Sequence, residues 1–541
     1  MIKKKLNSII LKVESLNFHA KSEELKQTII NNFAEMLNSL QIPIQIYCKS
    51  EKYNINEYKV NYLYDFIENH IRMNNIITKS LYIILSHDDI NVLEMNVDII
   101  RRYLKNINIY NEIIDINLFQ EEKDISFNYI LTDKYYKTYY VDNWPYSCID
   151  GWLEFLYNCE LDIDINSYII PQSNMKSIKF LKKKLLNYGI DSDIELESSN
   201  DDNIFSNEIE STELMLDELR SNSGKMFLCS FYIIVKGDTI EQLNRNSLLI
   251  ENLLNGKNIK IYSCLFYQHK ANLNNKFDAR DKICKYYNFT TNSLKTFFPF
   301  QVNNICDKNG VYIGENIQNK NLIFLDIFLR DYAVILILGL MGSGKSFLAK
   351  NLIKNLADNG VEISILDKSG EYAIFKNENN IKVYSKKKLN EYLLITKNYI
   401  QQVDNDYNNN KCIPRLFVVD EFWSYINNNE YADKFNQLFN EIILEGRKKY
   451  LGICVISQLI ESLLQSDIGI SILKTANIKF LMKMGLNESK VISQQYQLNL
   501  QQQNFLVTAN HEGLLMVDSN CVQFKVKTTK EREKLYNTNP R

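Results

Sequence analysis

The feature that most constrains this chain is Gly339-Leu340-Met341-Gly342-Ser343-Gly344-Lys345-Ser346, which fits G-x-x-x-x-G-K-[ST] without a gap. An apolar run, Val334 to Leu338, precedes it, and a helix-forming run, Phe347 to Ala357, follows. Strand, glycine-rich turn and helix in that order make a phosphate cradle. The glycines let backbone N–H groups turn inward, and the helix aims its positive end at the same anion. Gly339, Met341, Gly342, Ser343, Gly344, Lys345, Ser346 and Phe347 are therefore expected to bind a nucleotide. Lys345 is expected to reach the β- and γ-phosphates, and Ser346 to ligate Mg2+.

A hydrolytic site also needs an acidic half. Leu416-Phe417-Val418-Val419 reads as a buried strand ending in Asp420-Glu421. Asp420 is expected in the Mg2+ shell, and Glu421 is expected to polarise the attacking water. Gln458 ends the next strand, Gly452 to Ser457, where an amide can sense the γ-phosphate and orient water. Arg447, in Glu445-Gly446-Arg447-Lys448-Lys449, is a candidate arginine finger acting across a subunit boundary. A helix C-terminus rich in cations, favoured by the helix dipole, is the alternative for it. Asp367 to Tyr372 closes the strand after the P-loop helix, as an acid at the nucleotide edge or as a plain turn.

The chain has 541 residues, too many for one ordinary domain. A formal net charge of −2 gives no global basic field that would draw it to nucleic acid, and a local patch is left open. Ile, Asn, Lys and Tyr are abundant and Arg is scarce, the imprint of an AT-rich coding background, so lysine-rich stretches carry little information. The ten Cys form no Cys-x-x-Cys pair and the five His show no metal-ligand spacing, which points to reduced thiols. No apolar run approaches the ~20 residues of a membrane-spanning helix. The basic start runs into Lys12, Glu14 and Asn17 rather than a signal-peptide core.

With only 6 Pro and 17 Gly, domain boundaries must come from pattern, and no internal repeat is evident. From Leu6 to about Asp115 the sequence reads as a small α/β unit, with helices over 22–40 and 91–105 and strands over 42–48 and 80–85. Residues 128–299 read as a second unit, with strands over 137–141, 167–170 and 227–236 and helices over 175–188 and 239–254. The acidic, polar stretch Asp191 to Leu219 is expected to hold a flexible loop. From about Gly310, strands and helices alternate, which predicts a mainly parallel sheet covered by helices. The expected fold class is α/β, with smaller α+β domains over 1–125 and 126–309 and the P-loop domain over 310–541.

These motifs resemble those of the conjugative-transfer ATPases of type IV secretion systems, the TraE/TrsE/TraC group in the HerA/FtsK-like branch of RecA-fold motors. Phe298-Pro299-Phe300, Gly310-Val311-Tyr312-Ile313-Gly314 and Phe324-Leu325-Asp326 lead into the P-loop as in that family. Asp367 to Tyr372 resembles its Asp-Pro-x-Gly-Glu-Tyr element, with Lys368 in the place of Pro. Asp420-Glu421-Phe422-Trp423 resembles its acidic motif, and Gly446-Arg447-Lys448 with Ser457-Gln458 its Arg and Gln motifs. In the N-terminal half, Phe18 to Ser22, Leu37 to Leu40 and Pro43 to Ile46 resemble a TraC-like domain. Trp144-Pro145, Gly151-Trp152-Leu153 and Asp162 to Ile165 resemble the family's middle region. The resemblance implies a RecA-like ATPase domain, ATP rather than GTP, and a homo-oligomer, with a hexamer among the options. It also implies other secretion-channel components and a coupling protein as partners, and a cytoplasmic place at the inner face of the cell membrane, reached through those partners. The chain is short for the family, which implies an N-terminal docking element that is reduced or supplied by another protein.

Three functions stay open. The first is an ATP-hydrolysing motor that powers channel assembly or the transfer of DNA or protein. The second is a DNA-pumping ATPase of the coupling-protein or HerA/FtsK type, which would contact DNA directly; coupling proteins usually bring N-terminal membrane helices, and none is seen here. The third is an ATP-binding scaffold without turnover, against which the intact Lys345, Ser346, Asp420 and Glu421 weigh.

Overall fold

The computed structural model describes residues 7–58, 60, 63–115, 121–145, 147–195, 202–427, 430–518 and 520–537. They fall into two compact units. One comprises Met1–Phe18, Glu23–Glu51 and Ile77–Val302; the other comprises His19–Ser22, Lys52–Ile76 and Asn303–Arg541.

The first unit is built on one sheet whose central strands run Asn111–Ile114, Asn7–Val13, Ile77–His87, Ile44–Lys52, Ile163–Pro171, Met226–Gly237 and Tyr135–Asn143. The expected division at 125/126 falls inside this sheet. Ile44–Lys52 pairs antiparallel with Ile163–Pro171, Ile44 opposite Ile169 and Cys48 opposite Ile165, so both pieces share one ladder. The order has an internal symmetry. Asn7–Val13 pairs with both Ile77–His87 and Asn111–Ile114, and Tyr135–Asn143 pairs with both Met226–Gly237 and Lys260–Ser263. Each half thus follows a β-α-β-β-α-β plan with helices inserted between its second and third strands, Tyr64–Asn74 in the first half and Asn174–Glu195 with Asp202–Arg220 in the second.

The last helix of each half is specified the same way. Asp89 caps Ile90–Asn106 by accepting from Asn91 N, and Thr239 caps Ile240–Asn255 by accepting from Gln242 N, each cap worth about 1 kcal/mol. Leu93, Val97, Ile100 and Leu104 are buried on the first helix, and Leu243, Ser247, Ile250 and Leu254 recur at the same spacing on the second. The repeat is one of topology and burial pattern, which residue identity conceals.

The stretch Asp191 to Leu219, expected to hold a flexible loop, is largely helical where it is described. Asn174–Glu195 and Asp202–Arg220 form a helical pair, with Leu181, Leu216 and Leu219 buried beside Met226. Residues 196–201 lie outside the described residues.

The second unit carries a sheet in the order Leu322–Leu325, Val311–Asn316, Asn520–Lys525, Glu512–Val517, Ile478–Met482, Val334–Leu338, Leu451–Ser457, Arg415–Val419, Glu362–Asp367, Ile381–Ser385. The last six are mutually parallel and the first four are joined by antiparallel pairings. The fold is α/β with a parallel core, as expected. The central strand Val334–Leu338 is apolar throughout because both of its faces are buried, leaving no solvent face to carry polar residues.

Residues 52–76, expected in the N-terminal domain, pack here. Val60, Leu63, Ile67 and Ile76 bury against Tyr312, Leu322 and Phe324 of the edge hairpin. The Tyr58 ring stacks on Phe324 at 3.9 Å, and Leu322 N donates to Tyr53 Oη at 3.0 Å. Among the described residues no helix is long and apolar enough to cross a membrane.

Candidate functional site

The strand Val334–Leu338 is wholly buried between Leu451–Ser457 and Ile478–Met482, with Leu338 level with Ser457 on one side and Leu481 on the other. The chain then turns through Gly339 to Gly344. Gly342 and Gly344 have φ of +76° and +100°, in the left-handed region that L side chains resist. The helix Lys345–Asp358 starts at once, with Gly344 as its N-cap residue, so the free N–H groups of its first turn face the loop.

Lys345 is 7% exposed and donates to Leu340 O at 2.7 Å across the turn. Burial pushes its ammonium down to about 8, while the carboxylates of Asp420 and Glu371 act in the opposite sense. Ser346 and Phe347 are half-buried, with Phe347 packed on the core beneath, and Met341 stands exposed at the loop tip. The buried Ser343 hydroxyl has no hydrogen-bond partner among the described residues.

The acidic strand Arg415–Val419 is not the immediate neighbour of the P-loop strand, because Leu451–Ser457 lies between them. All three end at the same edge. Val419 is level with Val455, and Phe422 N donates to Ile456 O at 3.0 Å, which fixes the acidic turn against the strand that ends in Gln458. Glu421 takes a left-handed φ of +48°, unusual for a residue with a side chain, and is half-buried. Asp420 is 9% exposed. Burial pushes its carboxyl up to about 7, reinforced by Glu371 and then Glu421 and Asp367, against a hydrogen bond from Ser369.

Asp367 is wholly buried and organises the turn after it. Its Oδ1 accepts from Gly370 N at 2.7 Å and Glu371 N at 3.1 Å, and its Oδ2 from Ser385 Oγ at 2.8 Å and Tyr372 N at 3.2 Å. The turn carries Ser369 to Asp420, where Ser369 Oγ donates to Oδ2 at 3.2 Å. Lys350, 2% exposed on the P-loop helix, holds its Nζ 6.0 Å from the Tyr372 ring centroid. Burial pushes that ammonium down and the carboxylates of Glu371, Asp367 and Asp420 oppose the shift.

Lys345, Ser346, Asp420, Glu421 and Gln458 therefore share one sheet edge. Arg447 does not. It sits in the 3-10 turn Gly446–Lys449, which enters the strand Leu451–Ser457 at the end opposite Gln458, roughly 20 Å away at ~3.3 Å per residue. There its Nη1 lies 3.3 Å from Asp331 Oδ1, both side chains open to solvent.

Sequence reasoning did not single out Ser369, Glu371 or Lys350 as site residues, nor His511. A Cβ built on Gly344 would stand 3.3 Å from His511 Nδ1, so that imidazole borders the P-loop. Nothing in the spacing of residues so far apart along the chain signals that contact.

Residues 311–510 match the family described as Helicase HerA, central domain. A comparison with curated proteins gives no match. Among solved structures, VirB4 of Thermoanaerobacter pseudethanolicus is similar at 14% identity and a TM-score of 0.37, over 42% of this chain and 99% of that one. EccC of Thermomonospora curvata (ATPases 2 and 3, with a signal sequence peptide) is similar at 10% identity and a TM-score of 0.32, over 41% of each chain. The pCW3 conjugation coupling protein TcpA, in a monomer form with ATPgS, is similar at 15% identity and a TM-score of 0.31, over 43% of this chain and 72% of that one.

Proposed function

We propose, from the premise that residues 311–510 carry the central domain of the HerA helicase family, that this chain binds ATP and hydrolyses it to drive a translocation machine. One observation carries the reading. The P-loop turn, the buried Lys345, the carboxylates of Asp420 and Glu421 and the Gln458 amide converge on one sheet edge from strands that alternate in the order a hydrolytic site needs.

The backbone N–H groups of residues 342–346 cradle the phosphates, and Lys345 exchanges its Leu340 carbonyl for phosphate oxygens. Among the described residues no cluster of three His, Cys, Asp or Glu side chains can hold a metal by itself. Ser346 and Asp420 offer instead one hydroxyl and one carboxylate, the set from which Mg2+ is held jointly with a nucleotide's phosphates. Burial, reinforced by the nearby carboxylates, pushes Asp420 up to about 7, an environment a divalent cation relieves. When bound, Mg2+ would neutralise charge developing on the phosphates. Glu421 orients and polarises the attacking water, and Gln458 holds it in line. Arg447, on the far edge of its own sheet, acts only from a neighbouring copy, so the reading entails a homo-oligomer, with a hexamer the expected form.

The machine we assign is a type IV secretion or conjugation channel, where the ATPase powers channel assembly or substrate transfer. It would work at the cytoplasmic face of the cell membrane beside channel components and a coupling protein. The motif set Asp367 to Tyr372, Asp420 to Trp423 and Gly446 to Lys448 supports that choice. A DNA-translocating ATPase is the second reading, favoured by the helicase description of the matched domain.

ATP hydrolysis by the purified protein, measured beside Glu421→Gln over a range of protein concentrations, tests the proposal. Turnover that rises with concentration and vanishes in the variant is expected. ATP binding without turnover at any concentration, with and without DNA, would replace the motor by a nucleotide-locked scaffold.

A further inference from the structure

Asp420, Glu421 and Gln458 all approach the P-loop from one side of the strand Val334–Leu338. The scissile γ-phosphate lies on that side. A nucleotide held by the P-loop turn must then carry its nucleoside away over the other side, above Ile478–Met482 and Glu512–Val517. His511 stands there.

Its placement is built rather than incidental. Leu340 N, in the P-loop, donates to Lys483 O at 2.9 Å, and Met484 N donates to Leu506 O at 2.9 Å. Leu506 belongs to the helix Leu500–Thr508, whose last turn is closed by Ala509 N donating to Phe505 O at 2.8 Å. Two residues later comes His511, so a continuous chain of backbone bonds ties it to the turn it faces. The Met482 methyl joins it beside Gly344, 3.5 Å from where a Cβ would stand. The His511 ring is exposed, no hydrogen-bond partner for it exists among the described residues, and its backbone sits at φ +55°. A flat, unpartnered ring beside a small apolar surface suits the face of a base.

We infer that His511 contacts the nucleoside of a nucleoside triphosphate, its ring stacking on the base next to Gly344. The inference rests on the nucleotide-site reading above and names the part of the ligand this edge would take.

The test uses the full chain and His511→Asn, since Asn tolerates a left-handed backbone. Dissociation constants are measured for Mg2+-ATP and for Mg2+-tripolyphosphate, which has the phosphates and no nucleoside. ATP affinity is expected to fall about tenfold in the variant while tripolyphosphate affinity stays the same. Unchanged ATP affinity would overturn the assignment. An equal loss for both ligands would overturn it too, by placing His511 on the phosphates or in the support of the turn. If the parent chain binds tripolyphosphate but not ATP, the nucleoside contact is refuted while the phosphate cradle stands; if it binds neither, the site reading itself falls.

Discussion

Ser369 Oγ donates to Asp420 Oδ2 at 3.2 Å, tying the turn after one strand to the carboxylate that ends its neighbour. The same hydroxyl reaches Asp367 Oδ1 at 3.2 Å, so a single serine couples the turn's organiser to the expected metal ligand. Ser369→Ala should leave the turn in place, because Asp367 keeps its bonds from Gly370, Glu371 and Tyr372 N–H. It should lower kcat about tenfold, in line with a hydrogen bond to a charged group. A kcat equal to that of the parent chain would show that Asp420 is oriented without it.

Lys345 and Glu421 separate binding from chemistry. Lys345→Ala removes the buried ammonium that the phosphates would meet, so nucleotide affinity and turnover should both fall. Glu421→Gln keeps size and shape but removes the charge we assign to polarising water, so ATP should still bind while turnover drops ~10²-fold or more. Binding titrations alongside steady-state rates check the pair. Equal loss of affinity in both variants would contradict the split of roles.

Arg447 makes a sharper prediction because of where it lies. At the far end of its strand from Gln458, it cannot reach the site of its own chain. Arg447→Ala should therefore bind nucleotide like the parent, and lose turnover only at concentrations where the parent is assembled, by ~10²-fold or more for a finger. Mixing Arg447→Ala with Glu421→Gln should restore part of the activity, since each supplies what its neighbour lacks. Full activity of Arg447→Ala in the assembled state would end the finger assignment.

What the sequence discloses follows from how local the chemistry is. The P-loop and the acidic strand each lie within a short contiguous stretch, so residue order alone announces them. Asp367 is visible as an acid at a strand end, but its role in the turn depends on donors from Gly370 through Ser385 that only a folded chain brings together. Arg447 reads as a finger acting across a subunit boundary or as part of a cation-rich helix end, and only the polarity of the strand after it shows that it lies away from the site of its own chain. The boundary at 125/126 is illegible for a different reason. A strand's alternation tells that it pairs, not with what, and Ile44–Lys52 finds its partner across the expected boundary. In Asp191 to Leu219 a sparse apolar stripe, Leu216 and Leu219, is outweighed by acidic neighbours when composition alone is read.

Residues 52–76 carry a stability prediction for the second unit. Ile67 is fully buried over Tyr312, Leu322 and Phe324, which belong to the hairpin that flanks the sheet carrying the P-loop. Ile67→Ala should cost about 2–5 kcal/mol in the unfolding of that unit. The first unit should be unaffected. Denaturant unfolding read by hydrogen exchange in each unit distinguishes them, and an equal shift in both would deny that the segment belongs to the second unit.

The first unit holds a buried ionic cluster that predicts its acid sensitivity. Lys236 Nζ lies 2.6 Å from Asp164 Oδ1 and 3.8 Å from Asp162 Oδ1, and Lys134 Nζ lies 2.6 Å from Asp162 Oδ2. Burial alone would raise the Asp162 carboxyl, but Lys236 and Lys134 outweigh it and hold the group below its ordinary value. A carboxylate depressed in the folded state is fully stabilising above its unfolded pKa of about 3.9, and that contribution is lost as pH falls through the lower folded value. Acid unfolding of this unit should therefore set in below about pH 4, and Asp162→Asn should flatten the dependence there while lowering stability at neutral pH. Asp164→Ala is the harsher change, because it leaves the buried Lys236 ammonium with the neutral Ser50 carbonyl at 3.1 Å and the more distant Asp162 carboxylate at 3.8 Å. A loss of roughly 3–5 kcal/mol is expected at pH 7. Thermal melts of the three proteins between pH 3 and pH 7 check both statements; parallel curves for the parent and Asp162→Asn would show that the cluster does not set the acid limb.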